Sequence, residues 1–310
     1  MRGSVCRMTK HQFWGAERIP DQTGRVFVVT GANSGLGLAT ARALAAKGGR
    51  VVLAVRDEAK GRRATDGMPG SGAEVRPLDL ADLDSVRRFA DGLRADGVRP
   101  DVLVNNAGVM APPRTLSAQG HELQFAVNHL GHFALTGLLL DLLAQGTDPR
   151  VVTVSSTNHR QGRMFFGDPS GERGYAPMRY YNQSKFANAV FGRELHRRLT
   201  AAGSPVRSLL AHPGYTATGL QTSSPTGLVK LLFGRVLSPL AQAPERGALP
   251  QLFAAAAPEA LAGQFIGPRG PAELRGAPTV VRVAPAADDP ATGRRLWELS
   301  ERLTGVRYAR

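Results

Sequence analysis

"VFVVTGANSGLG", residues 26–37, passes from an apolar run directly into a glycine-rich turn. An apolar stretch without polar alternation suits a strand buried on both faces, as in a parallel sheet covered by helices. Gly31, Gly35 and Gly37 carry no Cβ, so backbone amides and a helix N-terminus can approach a pyrophosphate. Asn33, Ser34 and Leu36 fill the same turn and join the glycines as candidate dinucleotide-binding residues. The spacing is Gly-x-x-x-Gly-x-Gly rather than the more familiar Gly-x-Gly-x-x-Gly, and a chance glycine turn is the competing reading.

Outward from this stretch, short β-branched runs alternate with helical patterns. "RVVLAV", "AEVRPL", "DVLVNN", "RVVTVSS" and "VRSLLA" are further candidate strands, with helices expected over 35–47, 81–94, 118–143 and 180–199. The alternation predicts an α/β fold, a doubly wound parallel sheet with right-handed crossovers and helices on both faces. Residues 1–20 read as an N-terminal extension in which Trp14 would anchor against the domain, and 21–310 as a single domain. The Pro- and Gly-rich stretches 112–113, 223–227 and 267–278 read as loops.

The chain has 310 residues and one cysteine, Cys6, which excludes a disulfide framework and fits a reducing compartment. Residues 1–25 are polar and basic, without the apolar core of a secretory signal. The longest apolar run, 133–144, is broken by Asp141 and is short of the roughly 20 residues that span a bilayer. A cytoplasmic protein is therefore expected. The formal charge of +14 invites a nucleic-acid reading, but only five of the 39 basic residues are lysines and the arginines are scattered, not gathered in a stripe. No nucleic-acid partner is expected.

Where the second candidate strand ends, Val55 is followed by Arg56. A carboxylate there would accept a hydrogen bond from the adenosine 2′-hydroxyl, whereas a guanidinium can pair with a 2′-phosphate. The prediction is an NADP(H) preference, with NAD(H) still open and a merely solvated arginine the alternative.

Further along come "NNAGV" (105–109), Asn128 in "VNHLGHF", "TVSS" (153–156), "YNQSK" (181–185) and "HPGYTAT" (212–218). Together with "TGANSGLG" these motifs, in this order over roughly residues 20–270, resemble the short-chain dehydrogenase/reductase superfamily. "VRDEAKG", "SKFAN" and the long gap between Ser156 and Tyr181 are most similar to its retinol-dehydrogenase-like and protochlorophyllide-reductase-like branch. The resemblance implies a Rossmann-type fold and hydride transfer between nicotinamide and a carbonyl or alcohol.

It also implies roles. In the family the catalytic tyrosine stands four residues before its lysine, and of the pair Tyr180 and Tyr181 only Tyr181 stands so before Lys185. Positions i and i+4 share a helix face, which puts the ammonium beneath that phenol. Tyr181 is the expected general acid/base, with Lys185 lowering its pKa and binding the nicotinamide ribose, and Tyr180 is left to packing or the pocket rim. Ser156 would polarise the substrate oxygen and Ser155 would be structural. Asn128 would hold a water in the proton relay. Asp79 and Leu80 would flank adenine; Asn105, Ala107 and Gly108 would line the cofactor; Pro213, Gly214 and Thr216 would hold the carboxamide.

His129 and His132 lie three apart on one predicted helix, but no third ligand has metal-site spacing, so no metal is expected. The amphipathic, basic segment 225–240, within a region of about 220–245, is expected to be a substrate lid, with weak contact to a membrane surface as the alternative. Homo-oligomers are left open. The expected partner is a small, apolar carbonyl or alcohol, and the alternative function is a non-catalytic dinucleotide-binding regulator.

Overall fold

The computed structural model describes residues 13–70, 72–216 and 242–308; the predicted lid segment and Cys6 lie outside them. The six expected strands all form: β1 (Val26–Thr30), β2 (Arg50–Val55), β3 (Ala73–Pro77), β4 (Val102–Asn105), β5 (Arg150–Val154) and β6 (Arg207–Ala211). Two more, β7 (Phe265–Pro268) and β8 (Pro278–Val280), extend the sheet in the order β3-β2-β1-β4-β5-β6-β7-β8. Every pairing is parallel except β7 with β8. The stretch 267–278, expected to be a loop, thus opens and closes in strand. Its Gly and Pro content hid two short strands, the edge strand β8 and its neighbour β7, whose proline stands at its last residue.

The strand order reverses between β1 and β4, and the period-2 alternation of side chains explains the two cores. Phe27 and Val29 face one layer with Val51, Leu53 and Val104, against α1 (Gly35–Ala45) and a later helix, Leu249–Ala256. Val28 faces the other with Val52 and Leu103, against α3 (Leu83–Ala95), α4 (Leu123–Leu143) and α5 (Pro177–Ala201), α2 being Glu58–Thr65. Both sides of the central strands are therefore dry, as the unbroken apolar run requires.

Helix boundaries differ from expectation where local chemistry intervenes. The helix expected from 118 begins at Leu123, because Gly120 takes φ +80° and the Glu122 carboxylate caps the amides of Gln124 and Phe125. The helix expected from 81 starts after Asp82, whose side chain caps Asp84. Helix α4 is the one described helix long and apolar enough to cross a membrane, but two thirds of it is buried inside this fold. Trp14 meets the ring of Phe253 edge-on, and Ile19 lies in the core.

Candidate active site

At the carboxyl edge of β1 the chain turns at Gly31, with φ +66°, into the N-terminus of α1. A Cβ on Gly37 would press on the Gly31 carbonyl and the Asn106 amide, so only glycine lets the helix seat against the turn. Ser34 is the N-cap of α1, yet its hydroxyl caps no amide; it faces a groove instead. The groove encloses about 410 Å³ and is lined by the turn from Gly31 to Gly37, then Arg56, Asp79 and Leu80, then Ala107 and Gly108. Orphan amides at one helix end, glycines around them and a groove beside them suit a dinucleotide pyrophosphate.

Asn105 is not among the lining residues. It is buried and its side-chain nitrogen donates to Thr136 Oγ1 at 3.0 Å, while Asn106 reaches the groove. The reason is the strand period: β4 ends at Asn105 with its side chain on the helix-covered face, and the next residue emerges on the other. Asn106 is held by its Nδ2 on the Thr30 carbonyl at 2.8 Å and by Gln251, whose Nε2 donates to Asn106 Oδ1 at 3.2 Å. Gln251 is too distant in sequence for any motif to mark.

A buried histidine positions the "NNAG" turn. His132 Nδ1 lies 3.1 Å from the Asn128 carbonyl, which can only accept, so Nδ1 carries the proton. Burial pushes the imidazole down to about 4, so it is neutral and its Nε2 accepts from Thr30 Oγ1 at 2.9 Å. The Thr30 oxygen then takes the backbone amides of Asn106 and Ala107, each at 2.9 Å. His129 instead pairs with Ser300 Oγ at 2.8 Å and stacks on Phe125. Among the described residues no three His, Cys, Asp or Glu side chains gather as metal ligands would.

Arg56 and Lys60 both line the groove where β2 ends, both exposed and, among the described residues, neither in an ion pair. Asp57 beside them is spent as the N-cap of α2, accepting from the Lys60 amide at 2.9 Å. Lys60 is a lining cation that the sequence reading missed; its place one helical turn past Arg56 was the available signal. Asp79 lines the groove while its Oδ1 accepts from the Ala81 amide at 2.9 Å, so the same side chain also closes a turn.

At the other end stand the four polar residues expected to carry chemistry. Helix α4 begins with an α-turn, Leu123–Phe125, and then widens to a π-turn over Ala126–Leu130, in which Asn128 sits. Its amide is fully used: Nδ2 donates to the Val109 carbonyl and to Ser184 Oγ, and Oδ1 accepts from the Val109 amide. A bulge of this kind frees a side chain to aim sideways from the helix, and such bulges gather at functional sites. Lys185 is buried and donates to the Val154 carbonyl at 3.3 Å. A Cβ on Gly108 would lie 3.1 Å from Asn128 Oδ1 and 3.5 Å from Lys185 Nζ, so this glycine is where the groove meets the polar cluster.

Tyr181 and Lys185 share one face of α5, with the ammonium 5.9 Å from the phenol ring. Burial pushes the phenol up to about 12, opposed by its hydrogen bond with Ser156. Burial alone pulls Lys185 down to about 8. The expected lowering of Tyr181 by Lys185 is therefore not seen: the ammonium turns toward Val154, and desolvation of the phenol dominates. Ser156 caps the short turn Thr157–Gln161, and Ser155 is buried with its hydroxyl on the Lys185 carbonyl at 2.8 Å. Tyr180 points the other way, packing on Tyr175 and donating to the Asp168 carbonyl at 3.0 Å.

Pro213, Gly214 and Thr216 follow β6, and Thr216 and Leu36 of the groove both lie against Gly247. Gly214 takes φ +69°, and the Pro213 carbonyl accepts from Thr216 Oγ1 and from Gln242 Nε2.

The sequence pattern described as short chain dehydrogenase matches residues 25–228. Polyprenol dehydrogenase of Mus musculus is 42% identical over 93% of this chain and 86% of its own length. Retinol dehydrogenase 12 of Homo sapiens is 40% identical over 99% of this chain and 91% of its own. A crystal structure of an uncharacterised protein from Mycobacterium paratuberculosis superposes with a TM-score of 0.82 at 45% identity, covering 96% of this chain and all of the other. Pattern, relatives and architecture agree over most of the sequence, and the chain belongs to the short chain dehydrogenase family.

Proposed function

We propose that this chain is an NADP-preferring oxidoreductase that interconverts an alcohol and its carbonyl on an apolar small molecule. The observation that carries the reading is the meeting at Gly108 of a dinucleotide-shaped groove with the buried Asn128 and Lys185, beside the Ser156–Tyr181 pair. Relatives named for polyprenol and retinol favour an apolar primary alcohol or aldehyde.

The nicotinamide dinucleotide, when bound, supplies or accepts the hydride. Tyr181, protonated throughout the neutral range with its pKa near 12, donates its proton to the carbonyl oxygen in reduction and is left as a phenolate that solvent reprotonates; in oxidation the phenol must first give its proton to solvent, and the phenolate then takes the alcohol's proton. Ser156 holds that oxygen as charge develops on it. Lys185, with a pKa near 8, is mostly charged at pH 7 and supplies the positive potential at the groove's end. Asn128 fixes the loop at Val109 rather than offering a free amide, so its part in a proton path falls to its backbone carbonyl, which already accepts from His132. Arg56 and Lys60, without carboxylate partners, suit a 2′-phosphate.

Parallel titrations with NADPH and NADH, followed by nicotinamide fluorescence at fixed ionic strength, test the proposal. Saturable binding with NADPH at least tenfold tighter is expected. Equal affinities would remove the NADP preference, and no binding of either would remove the oxidoreductase reading.

A further inference from the structure

The loop joining β7 to β8 carries a feature that its length does not require. Ala272 and Glu273 are consecutive non-glycine residues in the left-handed region, with φ +51° and +57°. Such backbone is costly and persists only where its surroundings hold it, most often beside a functional site. What holds this turn is the Glu273 carboxylate. One oxygen lies 2.9 Å from His212 Nε2 and the other accepts from Arg160 Nη2 at 2.6 Å.

Those partners belong to the two segments that flank the polar cluster. His212 opens the "HPGYT" segment, and Arg160 lies in the turn Thr157–Gln161 that Ser156 caps. The His212 ring is buried, and its Nδ1 accepts the Gly214 amide at 3.2 Å. Nδ1 therefore bears no proton, and Nε2 donates to Glu273. A carboxylate on one ring nitrogen thus fixes the tautomer that the other needs, the same logic by which outer partners orient metal-bound histidines. The same loop grips the segment again, since the Leu274 carbonyl accepts the Tyr215 amide at 2.9 Å. On the Ser156 side, His159 donates from Nδ1 to the Ser156 carbonyl at 2.7 Å while its Nε2 accepts the Ala284 amide. Phe265 of β7 lies edge-on to both rings, His159 and His212, at 5.2 Å each.

We propose that Glu273 is a positioning residue of this active site, which sets the His212 tautomer and locks the "HPGYT" segment to the Ser156 turn. It touches no reacting atom; it acts through His212 and Arg160. The proposal rests on the oxidoreductase reading above for its consequence, but not for its geometry.

Amide hydrogen exchange on the nucleotide-free protein separates the two. Glu273→Ala is expected to speed exchange at Gly214 and Tyr215 at least tenfold, while amides within β5 and β6 keep their rates. Glu273→Gln, whose amide oxygen still accepts from His212, is expected to keep most of the Gly214 protection. Arg160→Ala together with Glu273→Ala should be no worse than Glu273→Ala alone, because one bridge is removed once. In NADPH titration Glu273→Ala should weaken binding about tenfold. Unchanged exchange at Gly214 and Tyr215, or an equal rise throughout β5 and β6, would overturn the proposal. Failure of the wild-type chain to bind NADPH would instead sink the oxidoreductase reading, with the exchange experiment still deciding the role of Glu273.

Discussion

Replacing Lys185 by methionine should stabilise the protein while it destroys turnover. The ammonium is buried without a carboxylate beside it, and burial alone brings its pKa from 10.5 to about 8. The folded-state value lies below the unfolded one. The folded chain thus resists a charge that the unfolded chain takes freely once the pH drops below 10.5. The penalty grows as pH falls from 10.5 to 8 and is complete below that. At pH 7 it amounts to about 3 kcal/mol, and at pH 9.5 to about 1 kcal/mol. Methionine has a similar length and carries no charge to desolvate. The Val154 carbonyl keeps the Asn188 Nδ2 donor at 3.1 Å after the substitution, so no buried acceptor is stranded. Urea unfolding of the nucleotide-free proteins at the two pH values measures the difference directly. A Lys185→Met variant less stable than wild type, or a gain that does not shrink between pH 7 and 9.5, would refute the reasoning.

Arg56→Asp should weaken NADPH binding by ten- to a hundredfold and leave NADH binding unchanged or better, by fluorescence titration, as expected for a lost guanidinium–phosphate pair. Tyr180→Phe removes a hydroxyl that bonds the Asp168 carbonyl, far from Ser156, so it should cost about 1 kcal/mol in urea unfolding and leave kcat within twofold. His129 is held neutral by burial, with its pKa down from 6.5 to about 3, so its contribution to stability is present above pH 6.5 and lost as the pH falls. His129→Phe should therefore lose about 2 kcal/mol less stability than wild type between pH 7 and pH 5; equal losses would exclude that account.

The sheet was readable because its central strands β1, β2, β4 and β5 are largely apolar on both faces, while the edge strand β3 shows Glu74 and Arg76 in its run. β7 and β8 were hidden because "FIGP" and "PTV" are short and carry Gly or Pro, the proline of β7 standing at the strand's last residue and that of β8 on the sheet's edge strand. Tyr181 and Lys185 were singled out by the family motif, in which the tyrosine stands four residues before the lysine, and the helix does place both on one face. Asn105 and Asn106 are adjacent, so a slip of one residue moves the side chain from groove to core. The π-turn around Asn128, the neutral His132 and the partners Gln251 and Glu273 have no local sequence signal. They depend on which residues the fold brings together, as does the pKa of Tyr181, where desolvation outweighs the helical neighbour that the motif emphasises. The segment 220–245, read as a lid, falls almost wholly outside the described residues.

The central claim is that a buried phenol, paired with Ser156 and set at the end of a dinucleotide groove, moves the proton. Tyr181→Phe tests it most directly, assayed with NADPH and a panel of apolar aldehydes alongside a nucleotide titration. The account predicts that NADPH affinity stays within about threefold of wild type while kcat falls by at least a thousandfold, more than the roughly 10²–10⁴ range's lower bound for a lost general acid. Turnover by Tyr181→Phe at the wild-type rate, with nucleotide still bound, would contradict it.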